Sequence, residues 1–317
     1  MRVAVVGAGA IGGFIAAALA RAGAPVAIVA RRAHLAAIRR DGLRVESDLG
    51  AFTVKVQAGD DLRELGVFDA LLLTFKAHHW PEFLPQLRPF AETPATIVTL
   101  QNGVPFWYVR QPPLRSVDPG GLIGGLFADD RVVGGVVHVS GELPAPGFVR
   151  QSGGLRYVLG RTSGSDDARA ESIVRLLRNA GLMAEIDPNV RATVWLKVVN
   201  NAGLNSVSVL RRARIKPMLS DPDARAHVRR LMIEALHVGQ AMKVVQDVDV
   251  DARIEYAARL DDVKTSMLQD YERGRRLELE PIVGAIIELA ERHDVTVPNL
   301  REAYAALRQV ETAASLG

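Results

Sequence analysis

The chain has 317 residues, of which 48% are hydrophobic and 24% charged, with a net charge of +3 and no cysteine. This length is sufficient for two domains with buried cores, and the lack of cysteine excludes disulfides, thiolate nucleophiles and cysteine-based metal sites. The lysines and arginines are interleaved with acidic residues and the seven histidines lack metal-ligand spacing, so we predict neither nucleic-acid binding nor a bound metal.

The N-terminal stretch from Val3 to Ala20 is uncharged and nearly long enough to span a membrane. Four glycines cluster inside it, between a short β-branched run and an alanine-rich run. A strand, a turn and a helix explain these glycines better than a membrane segment or a signal peptide does. We therefore expect a cytoplasmic protein that is not associated with a membrane.

The first motif is a glycine-rich turn between two predicted buried parallel strands, Arg2–Val6 and Pro25–Val29, with a helix in between. This is the context in which G-x-G-x-x-G binds a dinucleotide. Gly7 allows a tight turn, Gly9 lets the backbone approach a pyrophosphate at the helix N-terminus, and Gly12 permits close packing of helix on strand. The alternative is a glycine-rich turn without a ligand. The predicted cofactor-binding residues of the turn are Gly7, Ala8, Gly9, Ala10, Ile11 and Gly12.

The end of the second strand indicates which dinucleotide is bound. NAD enzymes usually carry Asp or Glu there, whereas this chain has Ala30-Arg31-Arg32. Guanidinium groups suit a 2′-phosphate because they form bidentate, charge-assisted hydrogen bonds. We therefore predict NADPH as the cofactor, with Arg31 as a ligand. One of the two arginines is expected simply to face solvent.

Two further buried strands, Phe68–Phe75 and Thr96–Leu100, are followed by Lys76 and by Asn102-Gly103. Ligands of open parallel sheets lie beyond the carboxyl ends of the strands, so Lys76 and Asn102 are candidates for cofactor or substrate binding. The alternatives are a solvated loop lysine and an ordinary Asn-Gly turn.

The rest of the first half reads as a mixture of strands and loops. The predicted elements are an irregular β region (43–57), a long surface loop with a short helix (105–130), two hairpin strands (131–139 and 147–160), a helix (166–180) and a short strand (182–186). Asp187-Pro188 then marks the domain boundary, which gives domains of residues 1–188 and 189–317.

Most segments from Val190 onwards have helical periodicity, so we predict an all-α domain after an α/β Rossmann-type domain. Its first helix, Val194–Leu210, is mostly apolar but carries Lys197, Asn201 and Asn205 at spacings of four. These side chains fall within an arc of roughly 80° on one helical face. Buried polar groups need partners. The partners are either protein carbonyls and water in a groove, or substrate atoms.

Taken together, these residues resemble the ketopantoate reductase (2-dehydropantoate 2-reductase) family along essentially the whole chain. The matching pieces are GAGAIG at 7–12, Arg31, Phe75-Lys76, Gln101-Asn102-Gly103, the Lys197/Asn201/Asn205 stripe, SMLQD at 266–270, Glu278 and HDVTVPN at 293–299. The resemblance implies an NADPH-dependent reduction of a 2-oxo acid, namely ketopantoate to pantoate in pantothenate biosynthesis. It also implies an active site in a cleft between the two domains.

By position, the resemblance assigns Lys197 as the general acid and Glu278 as a hydrogen-bonding partner of the substrate hydroxyl or of Lys197. Ser266 would bind the substrate carboxylate, and Asn102 would bridge cofactor and substrate. Asn201 and Asn205 would position the substrate. Without the resemblance, Ser266 could be a helix N-cap, and Glu278 one of two acids preceding a helix.

Two stretches depart from the family pattern. The segment from Trp107 to Gly125 is longer than expected, and Leu210–Asp249 carries few specific matches. A related NADPH-dependent reductase of another 2-oxo acid is therefore the main alternative. A nucleotide-sensing protein without turnover would be expected to lack Lys197 or Glu278. A homodimer through the helical domain is compatible with the sequence.

Overall fold

The computed structural model describes residues 1–163, 168–259 and 263–315. The chain divides into two compact units, which we call the sheet unit (1–101 and 122–190) and the helical unit (102–121 and 191–317). Residues 102–121, which the sequence analysis placed in the first domain, belong to the helical unit in this division. The predicted order of a Rossmann-type α/β fold followed by helices is confirmed.

The sheet unit contains ten strands in its described residues, and they form one mixed sheet. The strands are β1 (Val3–Val6), β2 (Val26–Val29), β3 (Leu43–Ser47), β4 (Gly50–Val54), β5 (Gln57–Gly59), β6 (Ala70–Leu73), β7 (Thr96–Thr99), β8 (Val132–Ala145), β9 (Phe148–Arg161) and β10 (Met183–Ile186). Their order is β4-β3-β9-β8-β7-β6-β1-β2-β5, with β10 beside β9. The helices are α1 (Ala10–Arg21), α2 (Arg32–Asp41), α3 (Trp80–Leu87) and α4 (Ala168–Asn179). The predicted start of α4 at Asp166 lies outside the described residues.

Strand β1 is an interior strand of this sheet, parallel to β2 on one side and to β6 on the other. All four residues of β1, β2 and β6 are buried, as expected for parallel strands covered on both faces. The chain proceeds from β1 to β2 and then crosses back to β6. The carboxyl ends of β1 and β6 therefore form a topological switch point, where open α/β sheets bind their ligands.

The described part of the helical unit contains three long helices, of 22, 20 and 18 residues, and several shorter ones. Its helices are α5 (Val190–Arg211), α6 (Ile215–Ser220), α7 (Pro222–Ala241), α8 (Val250–Arg259), α9 (Ser266–Glu272), α10 (Ala285–Arg292) and α11 (Pro298–Ser315), and a turn of π-helix (Glu280–Gly284) precedes α10. Among the described residues, none of the helices of either unit is long and apolar enough to cross a membrane.

Trp195 is the packing centre of α5 and is fully buried. Its indole Nε1 donates a hydrogen bond to the Ala235 carbonyl on α7 at 3.1 Å. A Cβ atom at Gly239, one turn further along α7, would lie 2.1 Å from the same nitrogen. Only glycine at position 239 therefore allows α7 to pack this closely on α5.

The segment 102–121 is packed into the helical unit, so the prediction of a surface loop was wrong for its aromatic part. Trp107 and Tyr108 are only 3% and 2% exposed, and the Tyr108 ring stacks on Trp195 with centroids 5.9 Å apart. Further along, the Glu288 carboxylate accepts hydrogen bonds from the backbone N–H groups of Arg115 (2.9 Å) and Ser116 (3.0 Å). Aromatic burial and a buried carboxylate thus hold the segment in place.

Candidate active site

The glycine-rich turn joins β1 to α1 at the switch point of the sheet. The Thr74 hydroxyl, just beyond β6, donates a hydrogen bond to the Gly7 carbonyl at 2.7 Å. A Cβ atom at Gly12 would lie 2.0 Å from the Gly7 oxygen, so Gly12 permits the close approach of helix and strand that its place in the motif predicts.

Gly9 faces open space, because no atom lies within 4 Å of where its Cβ would be. The first turn of α1 also carries no acidic side chain. Backbone N–H groups at a helix N-terminus attract anions, and among the described residues neither an acidic side chain of this turn nor an atom beside Gly9 opposes one. The turn therefore fits a dinucleotide pyrophosphate.

Arg31 is the N-cap residue of α2, two positions after the end of β2, and its side chain is 39% exposed. Its guanidinium forms an ion pair with Glu82 on α3 and lies 4.7 Å above the Phe83 ring. Burial and the neighbouring charge of Arg32 lower the pKa of Arg31. Sequence reasoning missed Glu82, because it lies 51 residues away on a helix that the sequence analysis did not predict.

Lys76 lies at the same edge, beyond the carboxyl end of β6. It caps a short 3₁₀ turn (Ala77–His79) and directly follows Phe75, whose ring stacks on Phe83 at 4.3 Å. The Gln101 amide donates to the Phe75 carbonyl at 2.9 Å. The sheet unit thus places the glycine-rich turn, Arg31 and Lys76 at one edge of the sheet.

The polar stripe of α5 is the candidate catalytic surface of the helical unit. Burial lowers the pKa of Lys197 from its ordinary value to about 8, while the negative charge of Glu278 acts in the opposite direction. Asn205 is only 5% exposed. The Nδ2 atom of Asn201 is buried and has no hydrogen-bond partner among the described residues. An unsatisfied buried donor is costly, and a hydrogen bond to a ligand oxygen would remove this cost.

Glu278 and Asn102 meet in the helical unit although they are far apart in sequence. Glu278 is 5% exposed, and its Oε2 accepts a hydrogen bond from the Asn102 Nδ2 at 3.4 Å. The next residues hold this geometry, because the Val104 N–H donates to the Pro281 carbonyl at 2.7 Å. A Cβ atom at Gly103, which has a φ of +84°, would lie 2.4 Å from the same oxygen. Gly103 is therefore required on two grounds, its left-handed backbone and its contact with Pro281.

Ser266 is exposed and is the first residue of α9. It does not cap this helix, because the Thr265 hydroxyl accepts the hydrogen bond from the Leu268 N–H at 3.1 Å. Thr265 also hydrogen-bonds the Ser208 hydroxyl at 2.6 Å, and Ser208 in turn donates to the Asn205 carbonyl at 2.9 Å. The start of α9, with Ser266, is thereby docked onto α5 near Asn205.

A Rossmann-type sheet with an open glycine-rich turn, followed by helices that carry a buried lysine near a carboxylate, defines the class of dinucleotide-dependent oxidoreductases. Comparisons with known proteins identify the family. The family model described as ketopantoate reductase PanE/ApbA matches residues 3–164, and the model of its C-terminal domain matches residues 189–311.

Individual relatives agree with the family models. The 2-dehydropantoate 2-reductase of Mesorhizobium japonicum is 37% identical over 98% of both chains. The crystal structure of 2-dehydropantoate 2-reductase from Geobacter metallireducens has 28% identity and a TM-score of 0.88, covering 98% of this chain and 99% of that one. A PanE/ApbA family ketopantoate reductase from Ralstonia eutropha has 28% identity and a TM-score of 0.85 over 99% of both chains. The chain belongs to the ketopantoate reductase family and is an oxidoreductase acting on a CH–OH group.

Proposed function

We propose that this protein reduces 2-dehydropantoate (ketopantoate) to pantoate with NADPH, a step of pantothenate biosynthesis, and that Lys197 is the general acid. The observation that carries the proposal is the buried Lys197 ammonium, with its pKa near 8, under the influence of the Glu278 carboxylate. The name of the Mesorhizobium japonicum relative supports the choice of substrate.

NADPH, when bound, supplies the hydride that reduces the substrate carbonyl. Reduction places negative charge on the carbonyl oxygen, and the Lys197 ammonium stabilises this charge and donates a proton to it. A pKa near 8 suits this role, because the group is mostly protonated at neutral pH and is a stronger acid than an ordinary lysine. Glu278 favours the charged form of Lys197 and accepts a hydrogen bond from the product hydroxyl.

The other polar groups of the helical unit orient the substrate. The buried Asn201 amide donates to a substrate oxygen, which satisfies its unpaired Nδ2. Asn205, one turn further along α5, also positions the substrate. The exposed Ser266 hydroxyl binds the substrate carboxylate. Asn102, already in contact with Glu278, bridges substrate and cofactor.

In the sheet unit, Gly7–Gly12 hold the pyrophosphate of the cofactor, and Lys76 contributes positive charge at the same edge. Arg31 binds the 2′-phosphate, which distinguishes NADPH from NADH. Its ion pair with Glu82 keeps the guanidinium at this edge, and the phosphate competes with Glu82 for it.

The first test is the rate of NADPH oxidation, followed by absorbance, with ketopantoate and with a panel of other 2-oxo acids. We expect the highest kcat/KM for ketopantoate by a wide margin. A slow reaction with ketopantoate and a fast one with another acid would leave the chemistry intact but replace the substrate. The segment 107–125 would then be the first region to examine for the altered specificity.

The proposed acid is tested by Lys197→Ala. Turnover should fall by about two orders of magnitude or more, the range for loss of a general acid, while NADPH still binds. Lys216→Ala, at an exposed lysine on α6, is the matched control and should behave as the unmodified protein. Near-normal turnover of Lys197→Ala would exclude the proposed role.

The homodimer remains a prediction, and light scattering of the purified protein measures it directly.

A further inference from the structure

The carboxylate of Glu278 is held on irregular backbone. Residues 275–278 lie between α9 and the π-helical turn and belong to no helix or strand. Hydrogen bonds of regular secondary structure therefore do not fix the position of Glu278. Since the side chain is 5% exposed and hydrogen-bonded to Asn102, its position must be determined by contacts of the residues around it.

Helix α11 supplies those contacts from a single face. Tyr304, Arg308 and Glu311 have i, i+4, i+7 spacing, which places their side chains on one side of the helix. The Glu311 Oε1 accepts a hydrogen bond from the Leu277 N–H at 2.7 Å. The residue immediately before Glu278 is therefore tied to α11.

The same face of α11 also binds Glu280, which lies two positions after Glu278. The Tyr304 hydroxyl donates to the Glu280 Oε1 at 2.6 Å, and the Arg308 guanidinium donates to the same oxygen at 3.4 Å. Burial and the bond to Glu280 raise the pKa of Tyr304 to about 12, so its hydroxyl remains a donor across the working pH range. Leu277 and Glu280 thus bracket Glu278 with two attachments to one helix.

Residues 102–104 contact the same strip of chain, from Leu277 to Pro281. Val104 contacts the Pro281 carbonyl, and Asn102 contacts Glu278 itself. The strip from Leu277 to Pro281 is therefore held by α11 at two residues and by residues 102–104 at two others. Electrostatic interactions vary with distance, so a displacement of Glu278 changes its effect on Lys197.

We propose that Tyr304 and Glu311 are positioning residues that hold Glu278 in its working place beside Asn102, so that the last helix of the chain is part of the catalytic apparatus. This inference rests on the proposed function, because it assumes that Glu278 takes part in turnover. Neither residue touches the substrate in this role. They act through the backbone and side chains on either side of Glu278.

The test uses Tyr304→Phe, which removes one hydroxyl, and the pair Glu311→Leu and Glu311→Gln. Gln keeps an oxygen that can accept the Leu277 N–H bond, whereas Leu does not. Tyr256→Phe and Glu302→Leu, at exposed positions of α8 and α11, are the matched controls. For each variant kcat, KM, the pH dependence of kcat/KM, the NADPH Kd and the melting temperature are measured, with Glu278→Gln as the reference.

We expect Tyr304→Phe and Glu311→Leu to lower kcat about tenfold, since small misplacements of catalytic groups cost this much or more. The alkaline limb of the pH profile should move to lower pH, in the same direction as in Glu278→Gln, because Glu278 favours the charged form of Lys197. Glu311→Gln should restore most of the rate, and the NADPH Kd should not change. In the Glu278→Gln background, Tyr304→Phe should have no further effect, since residues that act through one group are not additive.

A lower melting temperature with unchanged kcat and pH profile in Tyr304→Phe and Glu311→Leu would overturn the proposal and leave the proposed function standing. Equal loss in Glu311→Leu and Glu311→Gln would also contradict it, because the backbone contact would then be irrelevant. If Glu278→Gln itself turns over normally, the role of Glu278 fails and the positioning proposal fails with it. Should Glu311→Leu not fold, Tyr304→Phe and Glu311→Gln decide the question alone.

Discussion

The pH dependence of catalysis is the most direct consequence of the buried lysine. Burial lowers the pKa of Lys197 from 10.5 to about 8, which makes its ammonium a roughly 300-fold stronger acid. An acid catalyst must carry its proton, so the reduction rate is constant below this pKa and falls above it. The protonated fraction is about 90% at pH 7 and about 10% at pH 9, and kcat/KM should therefore drop about tenfold between these values.

The assay measures kcat/KM for the 2-oxo acid from pH 6 to 10, with NADPH saturating. A lysine with an ordinary pKa would be only about 3% deprotonated at pH 9, so its rate would hardly change between pH 7 and pH 9. The tenfold drop expected for Lys197 is clearly different from this. Oxidation of the 2-hydroxy acid needs the neutral amine as a base, and its rate should rise over the same interval. Opposite trends in the two directions distinguish one titrating catalyst from general alkaline inactivation.

Glu278→Gln provides the internal check. The Glu278 charge raises the pKa of Lys197, so its removal should move the break in the profile to lower pH. A profile that stays flat to pH 10 in both directions would refute the reasoning, as would a break that persists unchanged in Lys197→Ala.

Three further predictions concern the cofactor, the substrate and the packing of α5. Arg31→Ala should weaken NADPH binding far more than NADH binding, measured as two Kd values, and equal losses would exclude Arg31 as a 2′-phosphate ligand. Asn201→Ala should raise KM for the 2-oxo acid about tenfold or more with little change in unfolding free energy, because no described protein partner is lost. A large loss of stability with an unchanged KM would show instead that the amide is structural. Gly239→Ala should destabilise the protein to urea by about 2 kcal/mol because its Cβ would collide with Trp195, whereas Gly153→Ala, which meets no atom within 4 Å, should be nearly neutral.

Much of the sheet unit could be predicted because its signals are local. The glycine-rich turn and the buried strands around it follow from short apolar runs and glycines at fixed offsets. The helices α2 and α3 were missed because they are only ten and eight residues long, and helices this short are stabilised by packing rather than by propensity. The β8–β9 hairpin was predicted, although β8 extends to Ala145, beyond the predicted end at residue 139.

The candidate site also has one part that local sequence patterns predict and another that they do not. The stripe of Lys197, Asn201 and Asn205 could be predicted because four-residue spacing on a helix is a local rule. The contact between Asn102 and Glu278 joins residues 176 positions apart, which no local pattern reveals. Only the family resemblance brought these two into one site, and it gave no indication of the residues that support Glu278.

The division of the chain has a consequence for the order in which the protein is assembled during translation. The chain passes from one unit to the other after residues 101, 121 and 190. The 102–121 segment leaves the ribosome long before its partners. The Ser116 N–H, for example, is hydrogen-bonded to the carboxylate of Glu288, which is 172 residues downstream. A fragment that stops at residue 188 would therefore lack α5, on which the Tyr108 ring stacks. The helical unit is discontinuous in sequence, and the native contacts of residues 102–121 are completed only when α10 has been synthesised.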